Sequence, residues 1–211
     1  MNYETLRREL KTGDIVLFSG KGWVSGLIRR GQSLLARLRG RHDEAHWQWS
    51  HVGMVIKTDE MDMVMLYEST TFSQIKCVEL GRKHKGVQLV PLSERINQYQ
   101  GRIGVRRLHG KGAAFNPNQR RALAELRHTL KGTPYEKSTW QLVRSAFQGP
   151  LSNKKTDLSS VFCSELVAQC YQALELLPSD DAKPSNSYTP AHFARNLPLN
   201  HAQLGEVIIL C

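Results

Sequence analysis

Three kinds of side chain in this sequence could together act on a carbonyl: a thiol nucleophile, an imidazole base and a carboxylate to orient the base. Among the four cysteines, Cys163 has the position of a reactive one. It lies where the polar stretch "GPLSNKKTDLSS" gives way to "VFCSELVAQCYQALELL", a run with Leu166, Val167, Cys170, Tyr171, Leu174 and Leu177 on one helical stripe. Asp157, Ser159 and Ser160 are candidate N-caps, which predicts Cys163 in the first helical turn. Unpaired N–H groups and the helix dipole there favour a thiolate and can hold an oxyanion. Cys170 falls inside the same helix and reads as a core residue. A lone cysteine is most simply a small hydrophobe, so position alone leaves the nucleophile open.

Three of the eight histidines fall in "RHDEAHWQWSHVGMVI", Arg41 to Ile56. His42 and His46 have the spacing of a zinc-binding helical pair, but Asp43 stands where the HExxH pattern requires glutamate. The segment also lacks the apolar helix that would present such a pair. No CxxC spacing occurs either, so no metal site and no cofactor is expected. His51 instead opens an apolar strand-like run, a rigid mount for a base. Glu68 sits near the end of the next strand candidate, "MVMLYEST", and adjacent antiparallel strands bring such side chains onto one face.

In chain order, "GDIVLF", "WSHVGMVI", "YEST", "GTPYE" and "FCSELV" resemble the permuted papain-fold amidases of the YaeF/YiiX type, within the NlpC-like cysteine peptidase superfamily. The likeness runs from about Gly13 to Pro190. It implies a circularly permuted papain-like core in which the histidine precedes the cysteine. Cys163 would be the nucleophile, His51 the general base and Glu68 the group that orients it. The likeness also implies that Tyr135 lines the pocket, and Trp49, Ser50 and Ser164, which flank the reactive pair, are expected beside it at the substrate. The activity implied is hydrolysis of an amide, such as a peptide or N-acyl amino acid, through an acyl-thioester on Cys163. Acyl transfer or lipid ester or thioester hydrolysis of the lecithin:retinol acyltransferase type is the alternative, although "FCSELV" departs from that group's "NCEHF"-like motif. A non-catalytic basic binding protein is the reading from a different class.

The elements that must position these residues follow from patterning. The 211 residues suit a single domain spanning 1–211. A charged helix (Glu4 to Lys11) leads to the strand "GDIVLFSG". The strand candidates "SHVGMVIK", "DMVMLYEST", "IKCVEL" and "GVQLVPL" read as an antiparallel meander, followed by a short helix "SERINQY" and the strand "RIGVRRL". Helices are predicted from Asn116 through Leu130 with Gly132 as cap, over Ser138 to Phe147, and from Pro190. "EVIIL" is predicted as a closing buried strand. Sheet and helices alternate in blocks, which gives an α+β class.

Net charge is +10, which suits anionic partners without choosing among them. The local concentration is a basic amphipathic segment at about 23–41. Its Arg29, Arg30, Arg37, Arg39 and Arg41 fit a solvated face, an anionic membrane surface or an anionic substrate group. No nucleic-acid-binding module is present. The first residues carry no apolar signal region and no run is long enough to span a bilayer, so a cytoplasmic location is expected, with export by a route that reads no such signal left open. Scattered cysteines then read as free thiols.

Overall fold

The computed structural model describes residues 2–20, 49–58, 62–72, 74–135, 158–178 and 184–210. The basic segment at 23–41, His42, His46, the expected helix from Ser138 to Phe147 and Cys211 lie outside them.

Helix α1 (Tyr3–Arg7) starts where the Asn2 side chain accepts the Glu4 N–H at 3.1 Å. It is shorter than expected, giving way to a turn at Arg8 and Glu9; the chain turns again at Gly13, which holds a φ of 96°, and there the Asp14 carboxylate accepts the Lys11 N–H at 2.9 Å. Strands β1 (Ile15–Gly20), β2 (His51–Thr58) and β3 (Met63–Thr70) follow. A two-residue pair, β4 (Lys76–Cys77) and β5 (Arg82–Lys83), precedes β6 (Gly86–Pro91), helix α2 (Leu92–Asn97) and β7 (Gly101–Arg106). After the short β8 (Leu108–His109) comes α3 (Pro117–Leu130). Its N-terminus is a capping box between Asn116 and Gln119 with Pro117 in the first turn, and Gly132 follows its end at a φ of 69°. Helix α4 (Leu158–Ala173), helix α5 (Pro190–Ala194), β9 (Gln203–Leu204) and β10 (Ile208–Leu210) complete the order.

One antiparallel six-stranded sheet organises the chain, in the order β10-β7-β1-β2-β3-β6. The expected meander is present in β1 to β3 and β6, but β7 returns to the free side of β1. "IKCVEL" contributes only β4, outside the main sheet, since the chain turns at Gly81 and pairs with β5. "EVIIL" supplies a half-buried edge strand, not a buried one, because it pairs with β7 alone.

Alternate residues of the strands feed two apolar layers. Ile15, Leu17, Val52, Met54, Met65, Tyr67 and Leu89 pack on α4 through Leu166, Val167, Cys170 and Tyr171. Val16, Phe18, Val55, Leu66 and Val90 face the other way, under Leu6 of α1, Leu92 of α2 and Leu10 between α1 and β1. A sheet covered on both sides explains why its strands read as continuous apolar runs. Helix α4 is correspondingly buried around most of its circumference, and its Tyr171 hydroxyl donates to the Gly13 carbonyl at 2.7 Å. It ends earlier than the sequence pattern suggests: Glu175 takes a φ of 59°, and the Leu176 N–H returns to the Tyr171 carbonyl at 2.8 Å, so Leu174 to Leu177 form the closing turn.

Candidate active site

His51 is the first residue of β2, fixed by its pairing with Phe18 on β1 and by the Ser50 N–H donating to the Phe18 carbonyl at 3.0 Å. The register Met54↔Tyr67, continued outward, sets Gly53 level with Glu68 and makes His51 the diagonal neighbour of that carboxylate. Gly53 leaves room for the Leu66 side chain: a Cβ there would lie 2.8 Å from Leu66 Cδ1. The result is a contact of 2.6 Å between His51 Nε2 and Glu68 Oε2. The His51 side chain is 17 % exposed, whereas Glu68 has no exposed surface.

A carboxylate with no access to water needs compensation. Glu68 Oε1 accepts from Arg95 Nε at 2.9 Å and from Gln88 Nε2 at 2.9 Å. Gln88 stands directly opposite Glu68 in the β3–β6 register, and Arg95 descends from α2. The Arg95 guanidinium is itself enclosed by rings, 4.6 Å from the Phe18 centroid, 4.3 Å from Phe72 and 5.1 Å from Tyr99. Such contacts contribute about 0.5–2 kcal/mol each, the larger value when desolvated. Phe18 also contacts the His51 ring, with centroids 5.4 Å apart.

Burial alone would push the Glu68 carboxyl up, but the Arg95 charge, His51 and the Gln88 amide together bring it down to about 2. For His51 the largest influence is again burial, which pulls an imidazole down. It is outweighed by the charge of and hydrogen bond to Cys163, then by those of Glu68, so that His51 rises to about 9. Cys163 is therefore the second group that acts on the imidazole. Since Nε2 is engaged by Glu68, the nitrogen left for the thiol is Nδ1. By strand alternation His51 and Glu68 share the face of Phe18, while Cys163 belongs to the helix on the opposite face. They meet because His51 stands at the strand's end.

Cys163 is fully buried, and it sits deeper in its helix than the first turn. The helix already includes Leu158, five residues earlier (163 − 158 = 5). Only the first four N–H groups of a helix lack intrahelical partners, so the Cys163 N–H falls within the ladder, and the dipole is weaker there. The electrostatic partner of this sulfur is the His51 ring rather than the helix mouth.

The remaining candidates are distributed differently. Tyr135 is half-buried and stacks edge-on against Phe162, beside Cys163, at 5.1 Å between centroids. Trp49 packs in the α4-facing core, against Gly104. Ser50 is buried, and its hydroxyl lies 3.4 Å from the Phe18 carbonyl. Ser164 has no exposed surface and donates to the Tyr188 carbonyl at 2.7 Å. All three are buried. The five arginines of the basic segment lie outside the described residues.

The arrangement of a thiol, a charged imidazole and a clamped carboxylate is suited to nucleophilic attack on a carbonyl. The family described as permuted papain-like amidase enzymes, YaeF/YiiX, C92 family, matches residues 9–183. The chain belongs to this family. The match spans β1 through the end of α4, so every strand and helix that carries the site lies within the amidase region. Among solved structures, the crystal structure of the metalloprotein yiiX from Escherichia coli O157:H7 is similar at a TM-score of 0.46 and 17% identity, over 95% of this chain and 96% of that one. Among the described residues of the present chain, no three His, Cys, Asp or Glu side chains are grouped to hold a metal ion. No curated protein matches the chain. Among the described residues, no helix is long and apolar enough to cross a membrane.

Sequence reasoning missed Arg95 and Gln88. The signal available was Glu68 itself, a carboxylate inside the apolar run "MVMLYEST", which requires a buried cation or amide somewhere in the chain.

Proposed function

We propose that this amidase-family chain is a cysteine hydrolase that cleaves an amide through an acyl-thioester on Cys163, with His51 as acid–base and Glu68 as its orienting carboxylate. One observation carries the reading: His51, from the start of β2, has Glu68 at 2.6 Å and Cys163 as its two partners, from positions 17 and 112 residues away (68 − 51 and 163 − 51).

The thiolate of Cys163 attacks the substrate carbonyl carbon, forming the C–S bond of a tetrahedral intermediate. The C–N bond then breaks, and the proton on His51 Nδ1 passes to the departing nitrogen. Water, deprotonated by the now neutral imidazole, adds to the thioester. Collapse releases the carboxylic acid and returns the sulfur to Cys163. Throughout, Glu68 holds the Nε2 proton and stabilises the imidazolium. Because the sulfur is fully buried, side chains over it must move apart before a substrate carbonyl can reach it. Tyr135, packed on the residue before the nucleophile, is the described side chain best situated to contact the substrate. The substrate class is a peptide or N-acyl amino acid amide.

The test is acyl-enzyme capture. Intact protein is incubated with amide, ester and thioester libraries, and adduct masses are mapped to residues. An acyl mass on Cys163, absent in Cys163→Ala and slowed in His51→Ala, is the expected result. Amide turnover that survives Cys163→Ala would overturn the proposal.

A further inference from the structure

Arg95 lies outside the three proposed catalytic residues, yet its surroundings are unusual for a surface-helix arginine. It is 2 % exposed, ion-paired at 2.9 Å to a carboxylate with no exposed surface, and enclosed by Phe18, Phe72 and Tyr99. Its side chain binds neither the sulfur nor the imidazole. It reaches the oxygen of Glu68 that His51 does not use.

We infer that Arg95 is a positioning residue: its ring-enclosed guanidinium fixes Glu68 Oε1, keeps that carboxylate ionised, and so aims Oε2 at His51. The inference rests on the triad reading above. Two features make a structural staple an insufficient account. The first is the division of labour between the carboxylate oxygens, Oε1 taking both Arg95 and Gln88 while Oε2 is left to His51. The second is the enclosure, because a guanidinium held by rings from β1, the segment after β3 and the segment after α2 cannot swing toward the imidazole and compete for Oε2. Arg95 and His51 face Glu68, Cys163 and Glu68 face His51, Tyr99 lies against Arg95, and Gln88 is a neutral donor to Glu68.

Without the guanidinium, burial dominates Glu68 and its protonation moves up into the range where activity is measured. Loss of the carboxylate charge then removes one of the two partners that raise the imidazole. The consequence is a pH signature, which a residue that only fills space would not produce.

The experiment uses the full chain with Arg95→Met, Glu68→Gln and the double variant, each checked for folding by circular dichroism. Two readouts are followed against pH: the His51 ring resonances by NMR, and the rate of iodoacetamide labelling at Cys163 by mass mapping. In the wild type Glu68 titrates near 2, so neither readout steps between pH 3 and 6 on its account. In Arg95→Met a step appears in that window, an upward shift of about three units or more, and labelling at pH 4 falls roughly tenfold or more. The step is absent in Glu68→Gln and in the double variant. Should Arg95→Met fail to fold, the double variant decides: regained folding shows that the unpaired Glu68 charge was the fault and supports the inference, while continued failure reduces Arg95 to packing and overturns it. A folded Arg95→Met protein with no step also overturns it. Failure of the triad reading is distinguishable, because wild-type labelling at Cys163 would then be independent of His51.

Discussion

Replacing Glu68 by Gln removes one charge while keeping nearly the same shape, and the structure sets the size of the effect. The Glu68 carboxyl titrates near 2 in the folded protein against 4.5 in the open chain. That difference of about 2.5 units corresponds to about 3 kcal/mol favouring the folded state when the carboxylate is ionised. Breaking a buried pair by deleting one partner, here leaving Arg95 uncompensated, costs about 3–5 kcal/mol, which agrees. The stabilisation is fully present above the open-chain value and disappears as pH falls through about 2. Urea unfolding of wild type and Glu68→Gln should therefore differ by about 3 kcal/mol at pH 7, or roughly 6–12 °C in Tm for a chain of this size. The gap should close steadily below pH 4.5. A difference below about 1 kcal/mol at pH 7, or a larger one that stays constant down to pH 2.5, would refute the assignment of Glu68 as a buried, clamped carboxylate.

Other outcomes are open to direct measurement. Cys163→Ala and His51→Ala should each lower kcat on an amide by at least about 10⁴-fold, and combining them should add little, since they act as one unit; a steady-state assay with both single and double variants checks this. His51 is raised to about 9 by Cys163 and Glu68 against the downward pull of burial, so activity that needs the imidazolium should fall as pH rises through about 9, and this limb should move toward 6.5 in Glu68→Gln. Burial pushes the Cys170 thiol up to about 12, so alkylation of the native protein at pH 8 should mark Cys163 ahead of Cys170 in mass mapping. Gly53→Ala puts a methyl 2.8 Å from Leu66 Cδ1, and should destabilise by about 1–3 kcal/mol in urea unfolding.

What was legible in the sequence was what depends on local chemistry. The run from His51 to Thr58 is rich in β-branched residues and carries no helix cap, so its strand was readable, and with it the rigid mount of the imidazole. The Asn116–Gln119 pair announced its own helix start. Less was visible where long-range pairing decides. Nothing in "RIGVRRL" says that it will lie against β1 instead of β6, because both strand edges offer the same apolar alternation. "SERINQY" looks like a solvated helix, and only the fold reveals that its Arg95 points inward at a carboxylate 27 residues earlier. The depth of Cys163 in α4 was misjudged by about one turn because three nearby polar residues, Asp157, Ser159 and Ser160, could each have been the cap.

The order in which the sheet is built has a cost of its own. Strand β1 leaves the ribosome early, yet its two neighbours are β2, whose first residue is number 51, and β7, which ends at Arg106. An apolar ribbon with both flanks unsatisfied must therefore wait for distant chain, and the helix that brings the thiol arrives later still. Such non-local closure is slow and invites association between nascent chains. Holding the reactive cysteine in the last large element to dock also delays assembly of the thiol–imidazole pair until the scaffold beneath it exists.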